Sequence, residues 1–209
     1  MPFSDRSIDV IVATHPDKDH ISGLIDVLKH YDVGMYLDPG VSHGTGEYQT
    51  LLDTVKKEGL ETIHPRRGMN IVLGSSVVAR VLFPDRDVSN VETNTGSIVL
   101  QVVYGDTEVM LTGDSPQAIE KYLVSLDGTD LESDVLKAGH HGSRTSSSEE
   151  FVHAVNPHLA IISAGRNNKY GHPHQEVIDL FKKLGIEIKS TQNLGTITVL
   201  SDGEKVWVK

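Results

Sequence analysis

Short apolar runs alternate along the chain with stretches whose apolar residues recur every three to four positions. Ile8 to Ala13 (IDVIVA) is a nearly continuous apolar run, the mark of a buried strand. After the polar segment THPDKDH, Ile21, Leu24, Ile25 and Leu28 repeat at i, i+3, i+4 and i+7, which predicts a helix with one apolar face. Tyr48, Leu51, Leu52 and Val55 repeat that spacing in a second helix stopped by Gly59, and GVSHGTGEY between the two reads as a loop. The middle predicts hairpins. Ile71 to Leu73 and Val77 to Phe83 flank Gly74-Ser75, while Ile98 to Tyr104 and Glu108 to Leu111 flank Gly105-Asp106. Ser115 is expected as a helix N-cap with Pro116 at the first helical position. Ser147 with Glu150 forms a capping-box pattern ahead of Phe151 and Val152. DVLKA and Leu159 to Ser163 are further short strands, and Val177, Ile178, Phe181 and Leu184 mark a last helix closed by Gly185. TITVL-SDGE-KVWV predicts a terminal hairpin turned at Asp202-Gly203.

Strands and helices are thus mixed, which fits neither a purely parallel doubly wound sheet nor an all-β barrel. The sequence has no internal repeat, and SRTSSS at 143–148 is too short for a linker, so one domain over residues 1–209 is expected. No apolar run approaches the roughly 20 residues of a membrane span, and MPFSDRS lacks a signal-peptide apolar core. The absence of cysteine removes disulfides, thiolate zinc ligands and cysteine nucleophiles together. A net charge of −10 argues against a general nucleic-acid binder, because phosphate contacts come mainly from Lys and Arg. That objection weakens if Asp and His side chains hold divalent cations, which reverse the local field.

Four clusters carry candidate chemistry. His15, Asp17, Asp19 and His20 lie within one short loop directly after a predicted strand, where closely spaced N and O donors can fold around divalent ions. A solvated helix-entry loop would use the aspartates for the helix dipole but leave both histidines idle. Asp114 in LTGDS ends another strand; taken alone, it is an acid at a helix N-terminus. His140 and His141, between Gly139 and Gly142, cannot point the same way from a regular strand, so a sharp turn must orient them. Tyr170-Gly171-His172-Pro173-His174 lies between strand and helix and is a weak signal by itself. Each cluster sits where a predicted strand runs out, so one rim of a layered α/β structure can gather all four. His30, His64, His153 and His158 fall outside the clusters and read as surface residues.

THPDKDH, LTGD, LKAGHHGSRTSS and YGHPH, in that order, resemble the metallo-β-lactamase superfamily. More closely they resemble the C-terminal hydrolase (nuclease) domain of the ComEC and Rec2 competence proteins, over about Ile8 to Trp207. The superfamily loop is H-x-H-x-D-H, and Asp17 here replaces its second histidine, as in the competence-type variant. The resemblance implies an α/β (α+β), four-layer αββα sandwich, here without the N-terminal strands that precede the metal loop in the family. It implies two divalent ions, Zn²⁺ or Mn²⁺: His15 and Asp17 on one, Asp19 and His20 on the other, Asp114 bridging and His141 completing the second. His140 would face the substrate with Asp19 and His172 as catalytic partners, and Asn94, Ser143 and Arg144 would contact substrate.

The implied reaction is metal-dependent hydrolysis of a phosphodiester, with DNA, single-stranded in particular, as substrate. Arg144, Arg166 and Lys169 are the local cations that flank the histidine clusters. One rival is a lactonase or β-lactamase-like ester or amide hydrolase using the same ions. Another is a non-catalytic metal-binding module that depends on a partner chain. Apolar strands left short of a cover predict self-association into a homo-oligomer. The resemblance admits two locations: cytoplasmic for a stand-alone chain, extracytoplasmic for part of a membrane competence protein.

Overall fold

The computed structural model describes residues 5–209; the first four residues, which begin the MPFSDRS start, lie outside it. The N-terminal part builds a small parallel sheet. Strand β1 (Ser7–Val12) leads through helix α1 (Lys18–His30) to β2 (Asp32–Leu37), and helix α2 (Gly46–Lys57) leads to β3 (Thr62–Ile63). The order is β1-β2-β3. Ile21 and Leu28 of α1 and Tyr48, Leu51 and Val55 of α2 bury against Ile11, Val33 and Tyr36, so both helices cover one face. Strand β2 carries no clear sequence signal because Gly34 interrupts its alternation. A Cβ at Gly34 would lie 2.8 Å from the Asp9 carbonyl oxygen, so only glycine lets β2 approach β1 there.

A second sheet follows. It comprises β4 (Asn70–Leu73), β5 (Val77–Phe83), β6 (Val99–Tyr104), β7 (Thr107–Leu111), β8 (Val135–Lys137), β9 (Leu159–Ile162) and β10 (Glu187–Ser190). Its order is β10-β9-β8-β7-β6-β5-β4. The strands from β4 to β7 are antiparallel, and those from β7 to β10 are parallel. Helices α3 (Gln117–Asp127), α4 (Glu149–Val155) and α5 (Gln175–Lys183) bury Leu123, Phe151 and Phe181 against Met110, Leu136 and Ile162 of this sheet. Between the sheets Val12 meets Val81, Ile98, Leu100 and Leu111, closing a helix–sheet–sheet–helix sandwich. A short helix α6 (Thr191–Leu194) and the hairpin β11 (Val199–Ser201)–β12 (Val206–Val208) complete the chain. The hairpin tip caps the β6–β7 turn, with Asp106 N–H donating to the Gly203 carbonyl at 2.6 Å.

Both expected helix caps move by one residue. Pro116, not Ser115, is the N-cap of α3, and the Ser115 hydroxyl has no partner. Ser148, not Ser147, caps α4 by accepting from the Phe151 N–H. Ser147 is held in left-handed backbone, at φ 57°, because its N–H and that of Ser148 both donate to the buried Glu120 carboxylate. Among the described residues no helix is long and apolar enough to cross a membrane.

Candidate metal centre

β1, β7, β8 and β9 all end at the same rim. In parallel strands the carboxyl ends lie side by side, and loops leaving them converge. The loop after β1 brings His15, Asp17, Asp19 and His20. Asp17 stands at the N-cap position of α1, yet its side chain makes no capping bond; its Oδ2 lies 4.0 Å from His15 Nε2. The turn after β7 brings Asp114, whose N–H donates to Ser97 Oγ. The turn after β8 brings the adjacent histidines, both in left-handed backbone: His140 at φ 47° and His141 at φ 57°. That conformation costs about 1–2 kcal/mol per non-glycine residue, and here it swings both imidazoles to one side. Gly142 permits it, since a Cβ there would sit 2.7 Å from Pro173 Cβ.

The donors converge on one carboxylate oxygen. Asp114 Oδ2 lies 3.7 Å from His15 Nε2, 3.3 Å from His20 Nε2, 3.6 Å from His140 Nε2 and 3.6 Å from His141 Nε2. His141 Nε2 is also 3.2 Å from Asp19 Oδ2 and 3.1 Å from His20 Nε2. The donors fall into two sets, His15–His20–Asp114 and Asp19–His20–His141, with the ligand atoms of each set within 4.8 Å of one another. Burial opposes charge on Asp114, but the His20 bond and the surrounding imidazoles hold its carboxyl well below the usual range. His15 is pushed down to about 4 by burial and by His20, so its ring is neutral and its lone pair available. His15 Nε2 and Asp114 Oδ1 are buried without any hydrogen-bond partner, which costs free energy unless a cation completes them. The chemistry of the set, imidazole and carboxylate without thiolate, suits a divalent metal.

Braces around the rim fix these rings. His141 Nδ1–H donates to the Ser163 carbonyl at 2.8 Å, which leaves the Nε2 lone pair for a ligand. Thr145 Oγ1 lies 3.2 Å from His140 Nδ1, and Thr14 Oγ1 lies 3.1 Å from His15 Nδ1. Asn168 holds the His172 backbone at both ends, accepting from its N–H and donating to its carbonyl, and Gln192 donates to the same carbonyl. The His172 ring is 5.4 Å from that of His140 and 6.3 Å from that of His141. Burial and the neighbouring imidazoles lower its pKa. Among these braces, Asn168 and Gln192 escape sequence reasoning because no motif marks them, and Thr145, although inside LKAGHHGSRTSS, carries no signal of its own role. Lys137 escapes sequence reasoning too. Its amine is buried without a partner, pushed down by burial while Asp114 pulls it up.

A groove of about 760 Å³ opens beside the second donor set, lined by Asp19, His141, His172, Arg166, Asn168 and Tyr170 among others. Asn94, Ser143 and Arg144 are not on its wall. Asn94 opens a 3-10 turn and buries its Oδ1 without a partner. The Ser143 hydroxyl turns inward to Thr145, and so braces the residue that braces His140. Arg144 points to the far side, paired with Glu176 at 3.3 Å. Of the other histidines, His30, His153 and His158 are exposed, whereas the half-exposed His64 bonds the Asp38 carbonyl at 2.9 Å.

A family model described as the metallo-beta-lactamase superfamily matches residues 3–166. The ComE operon protein 3 of Bacillus subtilis is 33% identical over 192 residues, covering 92% of this chain and 24% of that protein. The competence protein ComA of Neisseria gonorrhoeae is also 33% identical, covering 92% of this chain and 25% of its own length. The chain therefore spans about a quarter of the length of these curated relatives. Among solved structures, CmlA, a diiron β-hydroxylase of Streptomyces venezuelae, superposes with a TM-score of 0.58. It is 14% identical and covers 88% of this chain and 44% of that one, which shows a shared fold and nothing finer.

Proposed function

The chain belongs to the metallo-β-lactamase superfamily, and from that premise we propose that it is a dinuclear metal-dependent phosphodiesterase that cuts DNA, single strands in particular. The observation that carries the reading is the convergence of four imidazoles on one oxygen of the buried Asp114. His15 and Asp17 would hold one ion, Asp19, His20 and His141 the other, with Asp114 shared. Zn²⁺ and Mn²⁺ both suit such an oxygen- and nitrogen-rich set. Two divalent ions, when bound, lower the pKa of water and neutralise charge building on phosphoryl oxygens.

The chain's own groups supply the rest. His140, aimed by Thr145, gives a proton to the leaving oxygen. His172, whose pKa is lowered by burial and by the neighbouring imidazoles, lends its ring to orient the phosphate from the groove wall. Asp19 faces both the donor set and the groove, and so carries a ligand's and a catalytic duty together. Arg166 puts a fixed positive charge on the same wall, which offsets the net charge of −10 where substrate enters. The competence protein among the relatives supports DNA as the polymer. Self-association belongs to this reading as well: Val72 and Leu73 on the sheet-edge strand β4 are 68% and 38% exposed, and light scattering at micromolar concentration reads it.

A metal-replete activity panel tests the function, with single-stranded DNA, duplex DNA, RNA and a chromogenic β-lactam side by side. Single-stranded DNA should be cut fastest, and chelation should stop it. Turnover of the β-lactam with no DNA cleavage would overturn the reading.

A further inference from the structure

Tyr170 is 61% exposed at the mouth of the groove. Its ring runs nearly parallel to that of His172, with centroids 5.7 Å apart and an interplanar angle of 23°. His172 in turn sits beside the two histidines of the donor cluster. A short aromatic file thus leads from open solvent to the metal centre. Cations flank it: Lys169 Nζ lies 4.9 Å from the Tyr170 ring centroid, and Arg166 lines the same wall, tied by its Nε–H to the Gln192 carbonyl. The segment is firmly set, because Asn168 and Gln192 clamp His172 two residues away.

We propose that Tyr170 is a stacking platform for an unpaired nucleobase next to the scissile phosphate, which makes it the residue that selects single strands. The inference rests on the phosphodiesterase reading of the same site. An exposed ring between a hydrolytic centre and two cations has the two parts that single-strand recognition uses, a π-face for the base and positive charge for the backbone. The Lys169 amine is exposed on a flexible stem, so it can leave the ring for a neighbouring phosphate when a base arrives. A duplex keeps its bases stacked on one another and offers the ring nothing. Tyr170 touches the base and not the reacting atoms, so it sets specificity rather than chemistry.

The test compares cleavage of two single-stranded octamers by the full chain: oligothymidylate, and an oligomer of equal charge in which every base is replaced by an abasic tetrahydrofuran unit. Base–aromatic stacking of about 1–3 kcal/mol corresponds to roughly 5- to 150-fold. Wild type should prefer oligothymidylate by a factor in that range, mostly through KM. Tyr170→Ala should bring the ratio of the two rates close to one, chiefly by raising KM for oligothymidylate, and Tyr170→Phe should restore the preference. A preference that survives in Tyr170→Ala, or an equal loss on both oligomers, overturns the platform alone. Failure of the metal-loaded wild type to cut either oligomer overturns the phosphodiesterase reading and the platform with it.

Discussion

The two halves of the sandwich supply the same centre by opposite means. In the three-stranded half, one strand end and the first turn of α1 deliver His15, Asp17, Asp19 and His20 together, and the helix that carries the last two is pinned by Ile21 and Leu28. In the seven-stranded half the site residues leave three different strands: Asp114 after β7, His140 and His141 after β8, His172 after β9. Each of these has its own brace, from Ser97, Thr145, Ser163, Asn168 or Gln192. The first half places ligands by proximity in sequence, the second by the parallel order β7-β8-β9. A contiguous loop tolerates loss of one donor because its neighbours stay in place, whereas a scattered set depends on the residue where the sets meet.

The sharpest way to break this contrast is Asp114→Asn. Removing the shared carboxylate should empty the centre of metal and abolish turnover, while Asp17→Asn in the contiguous loop should cost at most one ion. Elemental analysis of both variants after reconstitution decides it; full occupancy in Asp114→Asn would show that the two halves bind metal independently.

The adjacent histidines sharpen the comparison within the second half. His141→Ala should lower metal content, since His141 belongs to the Asp19–His20 donor set. His140→Ala should keep the metal and lower turnover by about 10²–10⁴-fold, the range for loss of a general acid. Metal loss in the His140 variant alone would exchange the two roles.

A smaller effect comes from Glu120, which ties α3 to the turn after the histidines. Burial raises its pKa to about 7, against the opposing pull of the Ser148 and Ser147 N–H groups. The folded protein therefore holds a proton that the unfolded chain releases near pH 4.5, so this contribution to stability is present below that pH and is lost as pH rises to about 7. The stability of wild type relative to Glu120→Gln should fall across that window by on the order of 3 kcal/mol. Urea unfolding at closely spaced pH values reads the difference, and a flat difference would remove Glu120 from the account.

The smallest expected change is at the helix cap in the same turn. Ser148→Ala should cost about 1 kcal/mol, because the Phe151 N–H loses its acceptor. Ser147→Ala should cost less, since the Ser147 hydroxyl has no partner. A larger cost for Ser147→Ala than for Ser148→Ala would favour the cap expected from the sequence over the observed one.

That one-residue shift illustrates where sequence patterns stop. S-S-S-E-E offers several serines to the same helix, and the choice among them falls to Glu120, distant in sequence, whose carboxylate captures two backbone N–H groups. The pairing of β1 with β2 was equally hidden, because it depends on the close approach at Gly34. The family resemblance implies that Ser143 and Arg144 contact substrate, but neither lines the groove beside the donor sets. The left-handed turn at His140–His141 sends the following chain away from the groove, so one faces Thr145 and the other Glu176.

By itself the sequence determined the helices with one apolar face, the hairpins and the donor-rich loops at strand ends, because each follows from residues a few positions apart. The layered class and the superfamily were legible too, since the spacing of H-x-D-x-D-H, LTGD and GHHG survives as a linear pattern. Tertiary structure alone decided that four imidazoles meet one oxygen of Asp114, that Asn168 and Gln192 clamp His172, and that Tyr170 stands exposed at the groove. Those relations depend on which strands lie side by side and on which backbone groups remain to be satisfied once they do, and neither quantity is local in the chain.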